Sequence, residues 1–345
     1  MKHRRLLGLL WLALLLGAAS FCILWGRTPT KRAQSFLGAR ETICIITVEL
    51  CETPGATARP TAPPTPSPTP VPTATPDPAP FSFFWYSDTQ YYAYKRPEIF
   101  RAMTEWSVRH ATEYNALAIL HTGDIVDNHH YERHWNNAAD ALEKLDGALP
   151  LYCVAGNHDV GADTVDYTAY LDAGFCDVTA PRQLYRGGVC WVQPIESRGI
   201  VLVGIGWQKD EAYLDWVRAK LAEYPDWAAI LLVHNFLEGD GTLTDNGKLL
   251  EETLLRDCQN VRLVLCGHRD GSARWQETYD DGARTVNALL YNFQDDKTKG
   301  LGYLRILTFD PVLRSVSVTT YSPYLDDYNY YETVSRDTFT LPNAF

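Results

Sequence analysis

The sequence predicts an α/β domain over residues 81–345, and three observations carry that expectation. Short apolar runs of strand length alternate with longer stretches of helical spacing. Polar clusters follow the apolar runs directly, and after His268 the pattern changes to paired strand-like segments with turn residues between them.

In chain order, the apolar runs are 81–86, 116–120, 149–154, 200–205, 229–233 and 261–265. Helical spacing covers 97–114, 135–145, 211–224 and 248–257. Farther on, segments 277–279 and 283–291 flank the turn Asp280-Asp281-Gly282, and segments 303–309 and 315–321 flank Pro311. The C-terminal part is therefore expected to be mostly antiparallel. No internal repeat is present.

Residues 1–80 differ in kind. The basic start (Lys2, Arg4, Arg5) precedes twenty uncharged residues, 6–25, the length of one helical bilayer crossing and longer than the core of most cleaved signals. Residues 1–27 are expected to be a signal-anchor, with cleavage near Ala19 as the alternative that would release the protein. Basic residues on both sides (Arg27, Lys31, Arg32 follow) leave orientation by charge open. Residues 28–80 form a linker whose stretch from Thr53 onward is almost entirely Pro, Thr and Ala, a semi-rigid solvated spacer. An anchor followed by such a spacer suits a catalytic domain held outside the cytoplasm.

Charge narrows the function classes. Of 31 Lys/Arg and 42 Asp/Glu, eight and four fall in residues 1–80, leaving 23 against 38 and a formal −15 for residues 81–345. Such a domain repels polyanions, so a nucleic-acid polymer is not expected as partner. A small phosphorylated substrate remains compatible if bound cations reverse the local sign. The eight cysteines (22, 44, 51, 153, 176, 190, 258, 266) show no zinc-finger spacing. Cys153 and Cys266 are expected to be core thiols, and Cys44 with Cys51 or Cys176 with Cys190 have the option of a disulfide in an oxidising compartment.

The chemistry sits at the ends of the apolar runs. Ser87-Asp88-Thr89-Gln90, Gly123-Asp124-Ile125-Val126-Asp127, Gly156-Asn157-His158-Asp159, His234-Asn235 and Gly267-His268-Arg269-Asp270 each follow one. Ligand sites in α/β sheets gather at the carboxyl ends of strands, so five such clusters can converge on one crevice. Taken singly, each has an ordinary explanation as a helix cap, a turn or a satisfied polar group. Five in order after five strands are not explained that way.

These five clusters resemble the ordered motifs of calcineurin-like metallophosphoesterases. The resemblance covers residues 81–345, and the blocks around Asp88, Asp124 and Tyr321 are similar to a bacterial, often exported branch of that family. It implies a four-layer αββα sandwich and two divalent metals sharing Asp124, one completed by Asp88, Gln90 and Asp270, the other by Asn157, His234 and His268. A metal-activated hydroxide would attack phosphorus in a phosphomonoester or phosphodiester, with the two cations stabilising the attacking and leaving oxygens. His158 would protonate the leaving oxygen or stabilise its charge, Asp127 would orient a neighbour, and Asp159 would orient His158. Where the family's first and last motifs end in His, this chain has Gln90 and Asp270. An all-oxygen site favours Mn, Mg or Fe over Zn. The same departures open the alternative of a degenerate binding module with an impaired metal site. His129, His130 and His134 are further candidates for the substrate entrance, and Arg269 for a phosphate oxygen. The Tyr-rich segment 321–331 is expected to pack against the sheet.

Overall fold

Apolar runs without polar alternation belong to strands covered on both faces. The computed structural model of the protein describes residues 77–175, 183–294 and 300–345. Fourteen strands lie among the described residues: β1 Phe81–Tyr86, β2 Ala116–His121, β3 Leu151–Cys153, β4 Gln183–Tyr185, β5 Cys190–Ile195, β6 Ile200–Ile205, β7 Ala228–Val233, β8 Val261–Cys266, β9 Gly271–Tyr279, β10 Arg284–Asn292, β11 Leu304–Asp310, β12 Ser315–Ser322, β13 Asp327–Tyr328 and β14 Phe339–Leu341. They build two sheets, one in the order β13-β12-β11-β1-β2-β3 with β14 on β12, the other β4-β5-β6-β7-β8-β10-β9. Strands β1 to β3 run parallel, as do β6, β7, β8 and β10. The later hairpins β9/β10 and β11/β12 are antiparallel.

Alternation along single strands sets the layers. Phe81, Phe83 and Trp85 of β1 enter the layer between the sheets, where they meet Leu202, Leu232 and Leu265 of the other sheet. Phe84 and Tyr86 enter the opposite layer with Ile99, Phe100 and Met103. Those three belong to the helix Pro97–His110, and Val217 and Leu221 of the helix Tyr213–Leu221 cover Val201, Val203 and Leu231 in the same way. The result is helices, sheet, sheet, helices. Full burial of each large apolar side chain contributes about 1.5–3 kcal/mol, so the intersheet layer and the two helix–sheet layers stabilise the fold together.

Element limits differ locally from those expected. The helix expected at 97–114 ends at His110, after which Asn115, with φ 45°, turns the chain into β2. The helix expected at 248–257 begins at Asp245 because Thr244 Oγ1 accepts the Gly247 N–H at 3.0 Å, and it widens into a π-helix at Glu251–Leu255. Strands β4 and β5 carried no recognisable apolar run. Cys153, Cys190, Cys258 and Cys266 are buried, and Cys176 lies outside the described residues. So do the expected anchor and most of the linker. Among the described residues no helix is long and apolar enough to cross a membrane. The last linker residues dock on the domain, where Arg198 Nη1 donates to the carbonyls of Asp77 (3.0 Å) and Ala79 (2.9 Å).

Polar ties fix the sheets against each other. Tyr291 Oη donates to the Trp85 carbonyl at 2.5 Å, and Trp191 Nε1 to that of Cys153 at 2.8 Å. Arg305 of β11 is fully buried and reaches Leu290 O (3.3 Å), Ser272 Oγ (2.6 Å) and Arg336 O (3.0 Å), with its guanidinium over the Tyr291 ring. Burial lowers its pKa to about 10, which still leaves it charged at neutral pH, with buried Asp337 nearby as an opposing charge. Arg305→Ala is expected to cost about 3 kcal/mol or more in urea unfolding, since it strips donors from several buried oxygens and leaves Asp337 uncompensated. A loss below about 1 kcal/mol would contradict this role.

Candidate metal centre

The carboxyl ends of β1, β2 and β3 in one sheet and of β7 and β8 in the other meet at one place. Asp88 follows β1, Asp124 follows β2, Asn157 follows β3, His234 follows β7 and His268 follows β8. Three of these residues turn the chain in the left-handed region, Asp88 at φ 52°, Asp124 at 56° and His268 at 71°. Each such turn costs roughly 1–2 kcal/mol for a residue with a Cβ. In return, it brings a side chain back over the end of its own strand.

Glycines precede Asp124, Asn157 and His268, and they are there for space. A Cβ on Gly156 would overlap the Asp124 carboxylate and backbone nitrogen, and one on Gly267 would overlap Asp88 Oδ2 and Ser87 Oγ. Loops from different strands approach so closely that only a hydrogen fits between them.

Around Asp124 the donor atoms converge. Its Oδ2 lies 3.2 Å from His234 Nε2, which also stands 3.1 Å from Asn157 Oδ1, while its Oδ1 accepts the His158 N–H at 2.9 Å. His234 Nδ1 donates to the Thr122 carbonyl at 2.8 Å, so Nε2 is the nitrogen presented to the two oxygens. A neutral imidazole would place a lone pair against two acceptors, an arrangement that requires a proton or a cation among them. Burial opposes charge on His234, but the Asp124 carboxylate overrides it and raises the imidazole to about 9. A proton thus takes the position suited to a cation. His268 is pushed down to about 3 by burial and by His234, which leaves it neutral with a lone pair to offer. Single ligand atoms of Asp124, His234 and His268 all lie within 4.8 Å of one another. Three carboxylates, Asp88, Asp124 and Asp159, are buried here, and burial raises the pKa of Asp88 and Asp159. Such an excess of buried acid fits a divalent cation.

Asp88 and Gln90 flank Asp124 on the other side. Both Asp88 oxygens accept the His268 N–H (3.1 and 3.2 Å), and Oδ2 also accepts Ser87 Oγ at 2.5 Å. Gln90, buried at the start of the helix Gln90–Lys95, satisfies its amide best when the NH2 donates to the carbonyls of Asp88 (2.9 Å) and Asp124 (3.1 Å). The amide atom 3.4 Å from Asp124 Oδ2 is then the oxygen. Asp270 is exposed, and the close trio Asp124, His234 and His268 includes neither it nor Asp88.

The remaining expected residues surround this group. His158 is half-exposed and hydrogen-bonds through Nδ1 to the Asp127 carbonyl at 2.7 Å. Burial lowers its pKa, yet Asp124 and the Asp127 carbonyl raise it further, so the net shift is upward. Asp159 is fully buried, and its oxygens accept the N–H groups of Val126 (2.9 Å) and Gly156 (2.8 Å), tying the loops after β2 and β3 together. Arg269, at the surface, pairs with Glu238 at 2.9 Å. His130 is exposed, with its ring 3.9 Å from that of His129.

Several supporting residues escaped the sequence reading because they looked like strand ends. His121 Nδ1 accepts the Gly123 N–H at 3.1 Å, so its Nε2 donates to Thr89 Oγ1 at 3.0 Å. Thr122 Oγ1 is shared by Trp85 Nε1 (3.1 Å) and Ser87 Oγ (2.6 Å). Trp207, after β6, places its ring 5.4 Å from that of His268, and no nearby motif marked it.

A family model described as calcineurin-like phosphoesterase matches residues 81–269. The chain is 34% identical over 277 residues to the uncharacterized protein YvnB of Bacillus subtilis (strain 168), covering 76% of this chain and 21% of that one. It therefore spans about a fifth of that relative's length. Among solved structures, the purple acid phosphatase PPD1 from yellow lupin (Lupinus luteus) seeds aligns with a TM-score of 0.54 at 12% identity, covering 78% of this chain and 55% of that one. That likeness concerns the fold.

Two outcomes are expected. Gly156→Ala should displace Asp124 and lower metal retained after dialysis at least about tenfold, read by elemental analysis, since supporting geometry commonly carries that much affinity. His121 is held at about 3 by burial, against about 6.5 when unfolded. Between those values the unfolded chain binds the extra proton, so stability falls as pH drops through the window. Denaturant titrations at pH 7 and pH 4 should show a larger loss for wild type than for His121→Gln, at up to about 1.4 kcal/mol per pH unit.

Proposed function

The chain belongs to the calcineurin-like phosphoesterase family, and from that premise we propose that it hydrolyses a phosphomonoester or phosphodiester with divalent metal ions. The observation that carries this is the convergence of Asp124, Asn157, His234 and His268 at the strand ends with His158 on their exposed side. In the proposed arrangement Asn157, His234 and His268 would hold one cation and Asp88, Gln90 and Asp270 a second, with Asp124 serving both. Bound cations would neutralise phosphoryl oxygens and lower the pKa of water.

The chain's own residues supply the rest. With Nδ1 engaged by the Asp127 carbonyl, His158 has Nε2 free to give a proton to the leaving oxygen, and its raised pKa favours the protonated form that this role needs. Asp127 positions that ring, and Asp159 holds Gly156 and Val126 so that His158 and Asp124 keep their spacing. The second proposal, a binding module with an impaired metal site, draws support from the exposed position of Asp270. The persistence of His158, a half-exposed imidazole beside the donor group, favours the enzyme.

We also keep the anchor and spacer as a proposal, supported by the uncharged run 6–25 and the Pro/Thr segment. Protease added to intact cells should then cleave the domain.

Purified protein assayed with Mn, Mg, Fe or Zn on phosphomonoester and phosphodiester model substrates should turn over. His158→Ala should lower kcat by about 10²–10⁴ with metal content unchanged, and Asp124→Asn should lose both metal and activity. A protein that binds no metal and is inert on both substrate classes would support the module instead.

A further inference from the structure

Beside the metal centre lies a cavity of about 480 Å³, lined by Tyr94, Asp127, His130, Tyr131, Arg133 and His134, with Glu132 at its edge. Asp127 joins it to the site, because the carbonyl of that residue holds His158 Nδ1 at 2.7 Å. The cavity therefore borders the imidazole proposed to protonate the leaving oxygen. The cavity on the other flank, beside His234 and Trp207, measures about 70 Å³. Pockets that enclose small organic molecules run to about 300–1,000 Å³, so only the larger cavity takes the alcohol part of a substrate.

Its walls are flat rings. The His134 ring lies 4.9 Å from that of Tyr94 and 5.3 Å from that of Tyr131, tilted by 44° and 52°, so the three splay as sides of a cup rather than stack closed. The Arg133 guanidinium lies 5.7 Å from the Tyr94 centroid. Tyr131 is 60% exposed although its ring is large and apolar, whereas His134 is 2% exposed and its Nδ1 has no hydrogen-bond partner among the described residues. Aromatic faces at several angles, with the exposed His130 imidazole beside them, suit a planar guest with a polar edge. The formal charges around the cavity, Asp127 and Glu132 against Arg133 and Lys95, whose ammonium lies 4.3 Å from the Tyr94 centroid, leave no surplus of positive charge for a second phosphate. The two imidazoles, His130 and His134, add donors and acceptors.

We propose that this cavity receives the leaving alcohol of the substrate and selects one that carries a flat, uncharged aromatic or heteroaromatic ring, with Tyr94, Tyr131 and His134 setting the preference. The proposal rests on the hydrolytic reading for the leaving role of the bound group. Its binding half does not. A nucleobase and a simple aryl group share the required chemistry.

Saturation-transfer NMR on the metal-stripped full chain separates these sources, with adenosine and para-nitrophenol as ring probes and glycerol as the ringless control. At least one ring probe should bind and glycerol should not. Tyr94→Ala and Tyr131→Ala should each weaken that binding at least fivefold with the thermal midpoint of Tyr131→Ala unchanged, as its exposed position requires. In kinetics with metal restored, Tyr131→Ala should raise KM for the matching ring-bearing phosphoester at least fivefold while kcat, and KM for glycerol phosphate, stay the same. Binding of neither ring probe, equal binding of glycerol, or indifference to both tyrosine substitutions would overturn the proposal. Ring binding without any phosphoester turnover would sink the hydrolytic reading and leave this pocket assignment standing; turnover without ring binding would do the reverse.

Discussion

His234 Nε2 stands 3.2 Å from Asp124 Oδ2, and the two side chains come from different sheets. Neither strand holds that contact alone. The distance exists because the intersheet layer of Phe83, Trp85, Leu232 and Leu265 fixes how far apart the strand ends can lie. Ties such as Tyr291 Oη to the Trp85 carbonyl prevent the sheets from sliding. The donor group is thus an outcome of core packing as much as of its own residues.

Close approach has a local cost. Left-handed backbone at Asp88, Asp124 and His268, and glycines that leave room for one loop against another, are unfavourable choices for a chain optimised only to fold. Several buried hydrogen bonds offset them. Asp159 accepts two backbone N–H groups, His121 accepts one and donates to Thr89, and Asp88 accepts the His268 N–H. Nearly every polar atom near the centre thereby gains a partner, while the Nε2 edge of His234 still faces two oxygens.

Charge explains why an acidic chain gathers acids here. Asp88, Asp124 and Asp159 are buried together, and His234 answers only part of their charge by holding a proton. The usual solution for such a cluster is a cation, and family membership points the same way. Of the two departures from the family pattern, Gln90 is buried beside Asp124 and Asp270 is exposed.

The residue pattern by itself determined the α/β class, most strands of the parallel core, and the five clusters that follow them. Uninterrupted apolar runs such as Phe81–Tyr86 are diagnostic because both faces are covered, and glycine beside Asp, Asn or His marks crowded turns. Strands β4 and β5 and the helix Gln90–Lys95 were not legible, being short and lacking a periodic apolar face. Only the tertiary structure decided which clusters share a contact, that His121 and Thr122 brace the site, that Arg269 is held by Glu238, and that Tyr94 and Tyr131 border one cavity with His134. The physical reason is that sequence records which groups follow a strand, whereas distances across two sheets depend on side-chain volumes in the layer between them, contributed by residues far apart in the chain.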